Sequence, residues 1–311
     1  MKRNPVFSRE MRVSSRSIRL PLILAVFNGI LSVAALLNMY SAVTQVRTSA
    51  AIQYTRFMDM YELVATIEFV LLVFLSPAVT AASISGERER QTLDLMLSTQ
   101  MTASQVVVGK LMGALATQFL LIISGFPLVA MVFVYGGITW GDALELILCY
   151  VAAAFFAGSL GICCSSLFKR STISTVVTYW IMTAVVGGTF FINQFALSMS
   201  SMNLQSAAAF YGAGYEMTVP SSGGAFYLFL LNPAVTFLGI MDGQAGRNTP
   251  MFEICSRFGV AAEGFVIEYW IPISILIQLA VGALLILAAI HWVEPVKKRR
   301  KTHQKKRRGI K

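Results

Sequence analysis

Side chains equipped for chemistry are scarce in this sequence, and their spacing excludes several reactions. Gly109-Lys110 has the form of the end of a phosphate-cradling loop. Ser104 stands where such a loop needs its first glycine, and Leu111 where it needs Ser or Thr, so the chain cannot hold ATP in that way. The 2 histidines, His291 and His303, cannot form a His-Glu-x-x-His zinc site, and neither sits at membrane depth beside Ser159 as the base of a serine protease. Of the 4 cysteines, Cys149, Cys163 and Cys164 share one apolar segment and Cys255 falls in a polar loop. They make no disulfide framework and are expected as small buried hydrophobes. No catalytic, cofactor-binding or metal-binding set remains.

What does remain is charge in two settings. Glu68 lies inside an apolar segment. There an acid either faces the helix bundle or a wet cavity as a functional group, or serves as a structural hydrogen-bonder. Gln118, in another such segment, reads either as interhelical glue or as a substrate contact. The second setting is the run Ser85-Gly86-Glu87-Arg88-Glu89-Arg90-Gln91-Thr92-Leu93-Asp94-Leu95-Met96-Leu97-Ser98-Thr99. It opens on alternating charges, and Leu93, Met96 and Leu97 follow at helical spacing. Thr102-x-x-Gln105 is a capping box that starts the next helix. The reading is one short helix of about three turns, exposing charges and an apolar ridge. Such a surface is suited to docking a partner.

The elements that hold these residues are set by composition. The chain has 311 residues, 56% hydrophobic and 13% charged, with a mean hydropathy of +0.68. A soluble domain has about twice that share of charge, so the apolar surface needs a membrane. A hydrocarbon core of about 30 Å takes roughly 20 apolar residues of helix. Six segments qualify, at roughly 20–40, 61–84, 105–135, 143–168, 172–197 and 269–293. Lys110 is expected to snorkel from the first turns of the third span, and Pro77, Pro127 and Pro272 fall inside spans. A further apolar run, Phe226 to Met241, is short and broken at Asn232-Pro233, which reads as a re-entrant segment.

The 25 Lys+Arg give the orientation. With both termini inside, only Arg47, Arg56, Arg247 and Arg257 lie outside. The first 34 residues have the outline of a signal peptide, but the long basic region and the five spans that follow argue against cleavage. Within 1–19, Asn4 and Pro5 suit a helix start, and Arg9, Arg12, Arg16 and Arg19 share one sector. Phe7, Met11 and Ile18 lie opposite, and Glu10 is the discordant residue. This predicts a basic amphipathic helix in the cytoplasmic interface. The segment 198–268 is an outer loop that carries the broken run, and 294–311 is a basic tail. That tail directly follows a span, so its expected partner is anionic lipid rather than nucleic acid.

The run from Glu87 to Thr99, with Gly109-Lys110 opening the next span, resembles the signature of ABC-2 type transporter permeases. These show Glu-Arg-Glu, then Thr-Leu-Glu/Asp-Leu-Leu-Leu, a Ser/Thr pair and a Gly-Lys. The likeness extends over the chain: an amphipathic N-terminal helix, six spans, termini inside, and a broken segment before the last span. Gln91 stands where Gly is frequent and Gln100 where Pro is frequent. The resemblance implies an all-α membrane protein with six transmembrane helices, a multi-pass subunit of a bacterial cytoplasmic membrane. It also implies that Glu87, Arg88, Glu89, Arg90, Thr92, Leu93, Asp94, Met96 and Leu97 form a coupling helix that docks in a separate ATP-hydrolysing subunit. ATP and Mg would be held by that partner, and none by this chain. Two permease chains, identical or related, would pair with two ATPase chains to export a substrate that the resemblance does not specify. A self-sufficient secondary transporter or channel and a non-transporting assembly protein are the alternatives. The first usually shows internal repeats or several intramembrane charges; no repeat is evident, and Glu68 is nearly alone.

Overall fold

The computed structural model describes residues 5–49, 55–98, 101–135, 138–211, 219–244, 251–261 and 264–293. In hydrocarbon a backbone group has no water to pair with, so long apolar runs must satisfy themselves as helices. The chain forms α1 (Pro5–Arg16), α2 (Arg19–Ser49), α3 (Thr55–Thr80), α4 (Ser85–Glu89), α5 (Thr92–Ser98), α6 (Ala103–Tyr135), α7 (Trp140–Leu167) and α8 (Ser171–Tyr211). A 3-10 helix (Gly223–Leu231) follows, then α9 (Pro233–Gln244), α10 (Phe252–Arg257), α11 (Phe265–Glu268) and α12 (Trp270–Val293). Among the described residues there is no strand. The helices α2, α3, α6, α7, α8 and α12 are long and apolar enough to cross a membrane, and they match the six expected spans in order.

Lengths differ from expectation in instructive ways. The fifth span continues as one helix of 41 residues, roughly 60 Å at about 1.5 Å per residue. Residues 198–211 contain neither Gly nor Pro, so nothing stops the helix at the edge of the apolar run. Pro272 falls in the first turn of α12, where the missing N–H has no partner to lose, so it demands no kink. Cys255, expected in a polar loop, is instead fully buried on α10. The four cysteines are all free and buried.

The central helix is α7, which packs against α3, α6, α8, α9 and α12. Every residue from Phe156 to Ser166 is buried, and the run Ala157-Gly158-Ser159 with Gly161 lets neighbours approach closely. A Cβ added at Gly161 would lie 2.0 Å from Thr80 Oγ1 on α3, and one at Gly282 on α12 would lie 2.7 Å from the Phe155 ring. A large cluster fills the contact of α2, α3, α6, α7 and α9, where Phe69 stacks on Phe237 with ring centroids 4.5 Å apart.

The broken run is a helix pair bent by 96° at Asn232. A proline cannot donate into the preceding turn, and the break exposes polar backbone. Asn232 answers this directly. Its Oδ1 accepts from Ala234 N at 2.9 Å, and its Nδ2 donates to Thr189 Oγ1 at 2.7 Å and to the Val186 carbonyl at 3.0 Å. Ser274 on α12 donates to the Leu230 carbonyl at 2.7 Å, and Gln278 Nε2 donates to Thr236 Oγ1 at 2.8 Å. A second apolar cluster, including Phe226, Phe229, Cys255, Phe258 and Trp270, covers this part of the molecule.

One end of the bundle gathers α1, α4, α5, the start of α6 and the end of α12, around Val6, Ile84, Leu93, Val106, Leu111 and Val293. The first described helix and the last therefore meet at the end that carries the charged run.

Candidate functional site

The charged run is two helices rather than the single one expected. They are α4 and α5, separated at Gln91, whose φ of 58° is left-handed. A side chain with a Cβ adopts that conformation at a cost of roughly 1–2 kcal/mol, and glycine at almost none. This is the position at which the resembled signature favours Gly. Helix α4 is fixed to α7 at its start, where Ser165 Oγ accepts from both Ile84 N and Ser85 N at 2.9 Å.

The two glutamates of Glu-Arg-Glu both turn back onto the protein. Glu87 Oε1 accepts from Lys110 Nζ at 3.1 Å, and Glu87 Oε2 accepts from the Thr92 hydroxyl. Glu89 reaches the first residue of α8: its carboxylate accepts from Ser171 N at 2.9 Å and Ser171 Oγ at 2.8 Å. An anion at a helix N-terminus pairs with backbone N–H groups that the helix itself leaves open.

Lys110 is the centre of the arrangement. It was expected to snorkel toward headgroups, yet its side chain is only 6% exposed and lies between two carboxylates. Besides Glu87, its Nζ donates to Glu10 Oε1 on α1 at 3.0 Å. An ammonium taken out of water is tolerated when it is paired and hydrogen-bonded. Glu10, discordant on a basic helix, is the residue that supplies the second carboxylate. Gly113 permits the approach, since a Cβ there would come within 3.1 Å of the Glu10 Cβ. Sequence reasoning noted Glu10 and Lys110 separately; the signal that could have joined them was one stray acid on α1 and one stray cation on α6.

Of the expected apolar ridge, Leu93 is not exposed. Leu93 is buried among Ile84, Val106, Leu111 and Val293, because the turn at Gln91 rotates α5 so that it closes the end of the bundle. Met96 is half-buried, and its sulfur accepts from Arg9 Nη1 at 3.6 Å. Asp94 and Leu97 belong to α5, and their side chains lie outside the described residues. Among the described residues of this run, Arg88 is partly covered and Glu89, Arg90, Gln91 and Ser98 are exposed. The capping box at α6 is formed, with Thr102 N donating to Gln105 Oε1 at 3.1 Å and Gln105 N to Thr102 Oγ1 at 3.3 Å.

Glu68 and Gln118, singled out from the sequence, take no part in the bonds at this end. Glu68 is 1% exposed and lies over Gly125, where a Cβ would fall 2.5 Å from its Oε1. Gln118 is 1% exposed, and both of its amide atoms lack a hydrogen-bond partner among the described residues, so it joins no pair of described helices. Among the described residues no cluster of His, Cys, Asp and Glu could hold a metal ion.

The family of ABC-2 family transporter proteins matches residues 5–241, which take in α1, the first five spans, the clamped end and most of the bent pair. No curated protein sequence matches the chain. With a match over more than two thirds of its length, this multi-pass membrane protein belongs to the ABC-2 transporter family.

Proposed function

We propose that the chain is the membrane-spanning subunit of an ATP-driven exporter, and that the outward face of α4 and α5 docks a separate ATP-hydrolysing subunit on the cytoplasmic side. The observation that carries this reading is the way α4 is tied. Through Glu87 and Lys110 it is joined to α6 and α1, through Ser165 to α7, and through Glu89 to α8. A push on Arg88, Arg90 or Gln91 is thereby delivered to three spans at once. A connection needed only to link two spans has no use for such bracing.

In this reading ATP and Mg are held by the partner, and closure of two ATPase chains drags α4 and α5 of two permease chains. The differential contact of the ATPase with the two arrangements of the bundle supplies the driving energy. The basic residues Arg9, Arg12, Arg16 and Arg19, all exposed, rest on anionic headgroups together with the basic tail.

The test is double charge reversal on the open face, Arg88→Glu with Arg90→Glu. The measurement is the amount of ATPase recovered with the permease in detergent. Recovery falls about tenfold, which corresponds to about 1.4 kcal/mol, while the permease itself inserts and purifies normally. Undiminished recovery means that this face is not the docking element. Leu93→Asp is the wrong probe, because it puts a carboxylate into the chain's own core.

A further inference from the structure

A cavity of about 300 Å³ lies between α1, α6, α7 and α12. Phe7, Met112, Phe119, Ala154 and Leu279 contribute to its wall, and among the described residues Gln118 is the only polar one that does. The volume is at the small end of sites that hold small molecules. Met112 and Phe119 are about half exposed on the outer surface of the bundle, so the cavity opens toward the surrounding hydrocarbon. Along α6, Gln118 is eight residues from Lys110, roughly 12 Å at about 1.5 Å per residue. The amide therefore sits within the leaflet on the side of the clamped end.

An amide in that position needs a donor and an acceptor. Neither Nε2 nor Oε1 of Gln118 has one among the described residues, and the leaflet interior offers no water. Lipid tails offer nothing, and a phospholipid ester only accepts, which would leave Oε1 unpaired. A group that both donates and accepts satisfies the amide completely. We propose that this cavity binds a single-chain amphiphile drawn from the leaflet, whose neutral carboxyl group pairs with Gln118. The carboxyl O–H donates to Gln118 Oε1, its carbonyl accepts from Gln118 Nε2, and the chain lies along the apolar wall toward Met112 and Phe119. At this depth the uncharged form of a carboxylic acid is the favoured one, since a lone buried carboxylate has no counter-charge among the residues lining the cavity. The amide lies sealed in the wall, so engagement takes a rotamer change of Gln118. The assignment does not depend on the ATPase-docking reading.

The test uses the purified full chain, stripped of lipid in detergent, with palmitic acid and its methyl ester as probes. Palmitic acid raises the unfolding temperature of the wild type, because a ligand bound only to the folded state stabilises it. The methyl ester lacks the O–H donor and binds about tenfold more weakly. Gln118→Leu unfolds at or above the wild-type temperature without ligand, since it removes an unpaired buried amide, and it no longer separates the acid from the ester. A diazirine-bearing palmitic acid labels peptides of α6 and α7, and Ala116→Phe, which fills the cavity, removes that labelling. Equal binding of acid and ester by the wild type would overturn the proposal. So would labelling of the same peptides to the same extent by a diazirine-bearing phosphatidylcholine, which would mark the cavity as a place for bulk lipid. Equal response of wild type and Gln118→Leu to palmitic acid would overturn it as well.

Discussion

The clamp at Lys110 makes a quantitative demand that can be checked without knowing any partner. In Lys110→Met the volume stays similar while the ammonium disappears, leaving Glu87 and Glu10 facing each other. Removing one partner of a buried ion pair costs about 3–5 kcal/mol. The Glu10 side chain is 34% exposed and the Glu87 side chain 16%, so water screens part of the residual charge. Thr92 also continues to donate to Glu87. These place the loss at the low end, about 3 kcal/mol. At about 2–4 °C per kcal/mol for a chain of comparable size, the unfolding temperature in detergent falls by about 6–12 °C. The pair Lys110→Met with Glu87→Gln removes both of these charges, and it returns to within about 1 kcal/mol of the wild type, a recovery of about 2 kcal/mol over the single variant. A second readout isolates α1. Trypsin cleaves at Arg9, Arg12 and Arg16 faster in Lys110→Met than in the wild type, because the anchor of that helix is gone. If the single variant melts like the wild type, or if the double variant melts no higher than the single one, the clamp contributes nothing and the bracing argument for α4 fails with it.

Other consequences follow from close contacts and from backbone geometry. Gly161→Ala brings a methyl group within 2.0 Å of Thr80 Oγ1 and 3.2 Å of the Ala81 backbone nitrogen, and it lowers stability in thermal unfolding by about 1–3 kcal/mol. Thr80→Ala in the same chain restores part of that loss. At Gln91, with its left-handed φ, Gln91→Gly leaves stability unchanged or slightly raised, whereas Gln91→Val lowers it by about 1–2 kcal/mol; equal effects of the two would show that the turn is not held as described. For orientation, Met202→Cys reacts with an impermeant thiol reagent on intact cells and Arg90→Cys only after the membrane is broken, against the low background of four buried native cysteines. The reverse pattern inverts the arrangement argued from Lys and Arg.

The spans were legible because their signal is additive: some 20 apolar residues in a row outweigh any single exception. The break at Asn232-Pro233 was legible for a local reason, as proline removes a donor and asparagine supplies the replacement bonds. The true end of α8 was not, because hydropathy stops at about residue 197 while helix propensity does not. The bent connection between α4 and α5 was hidden by composition. Gln91 has no propensity for a left-handed turn, and it is held there by ties before it, Glu89 to Ser171 and Glu87 to Lys110, and by the burial of Leu93 after it.

The inward burial of Leu93 has the same origin. Helical spacing identifies which residues share a face, but the direction of that face is set by where the helix is fastened, and the fastening residues are distant in sequence. Glu10, Glu87 and Lys110 come from three different helices; Glu10 and Lys110 each read as an isolated charge, and Glu87 as one member of an alternating run. A basic amphipathic helix tolerates one acid, and a span tolerates one lysine near its end, so neither anomaly pointed to the other. Their meeting also changes the shape of the charged run. In place of one exposed helix it is a charge-clamped pair of short helices, with Leu93 packed into the bundle and Arg90 exposed. Of the ties on α4, the one through Lys110 reaches both α1 and α6, and this is why removing that ammonium is the measurement on which the bracing argument depends.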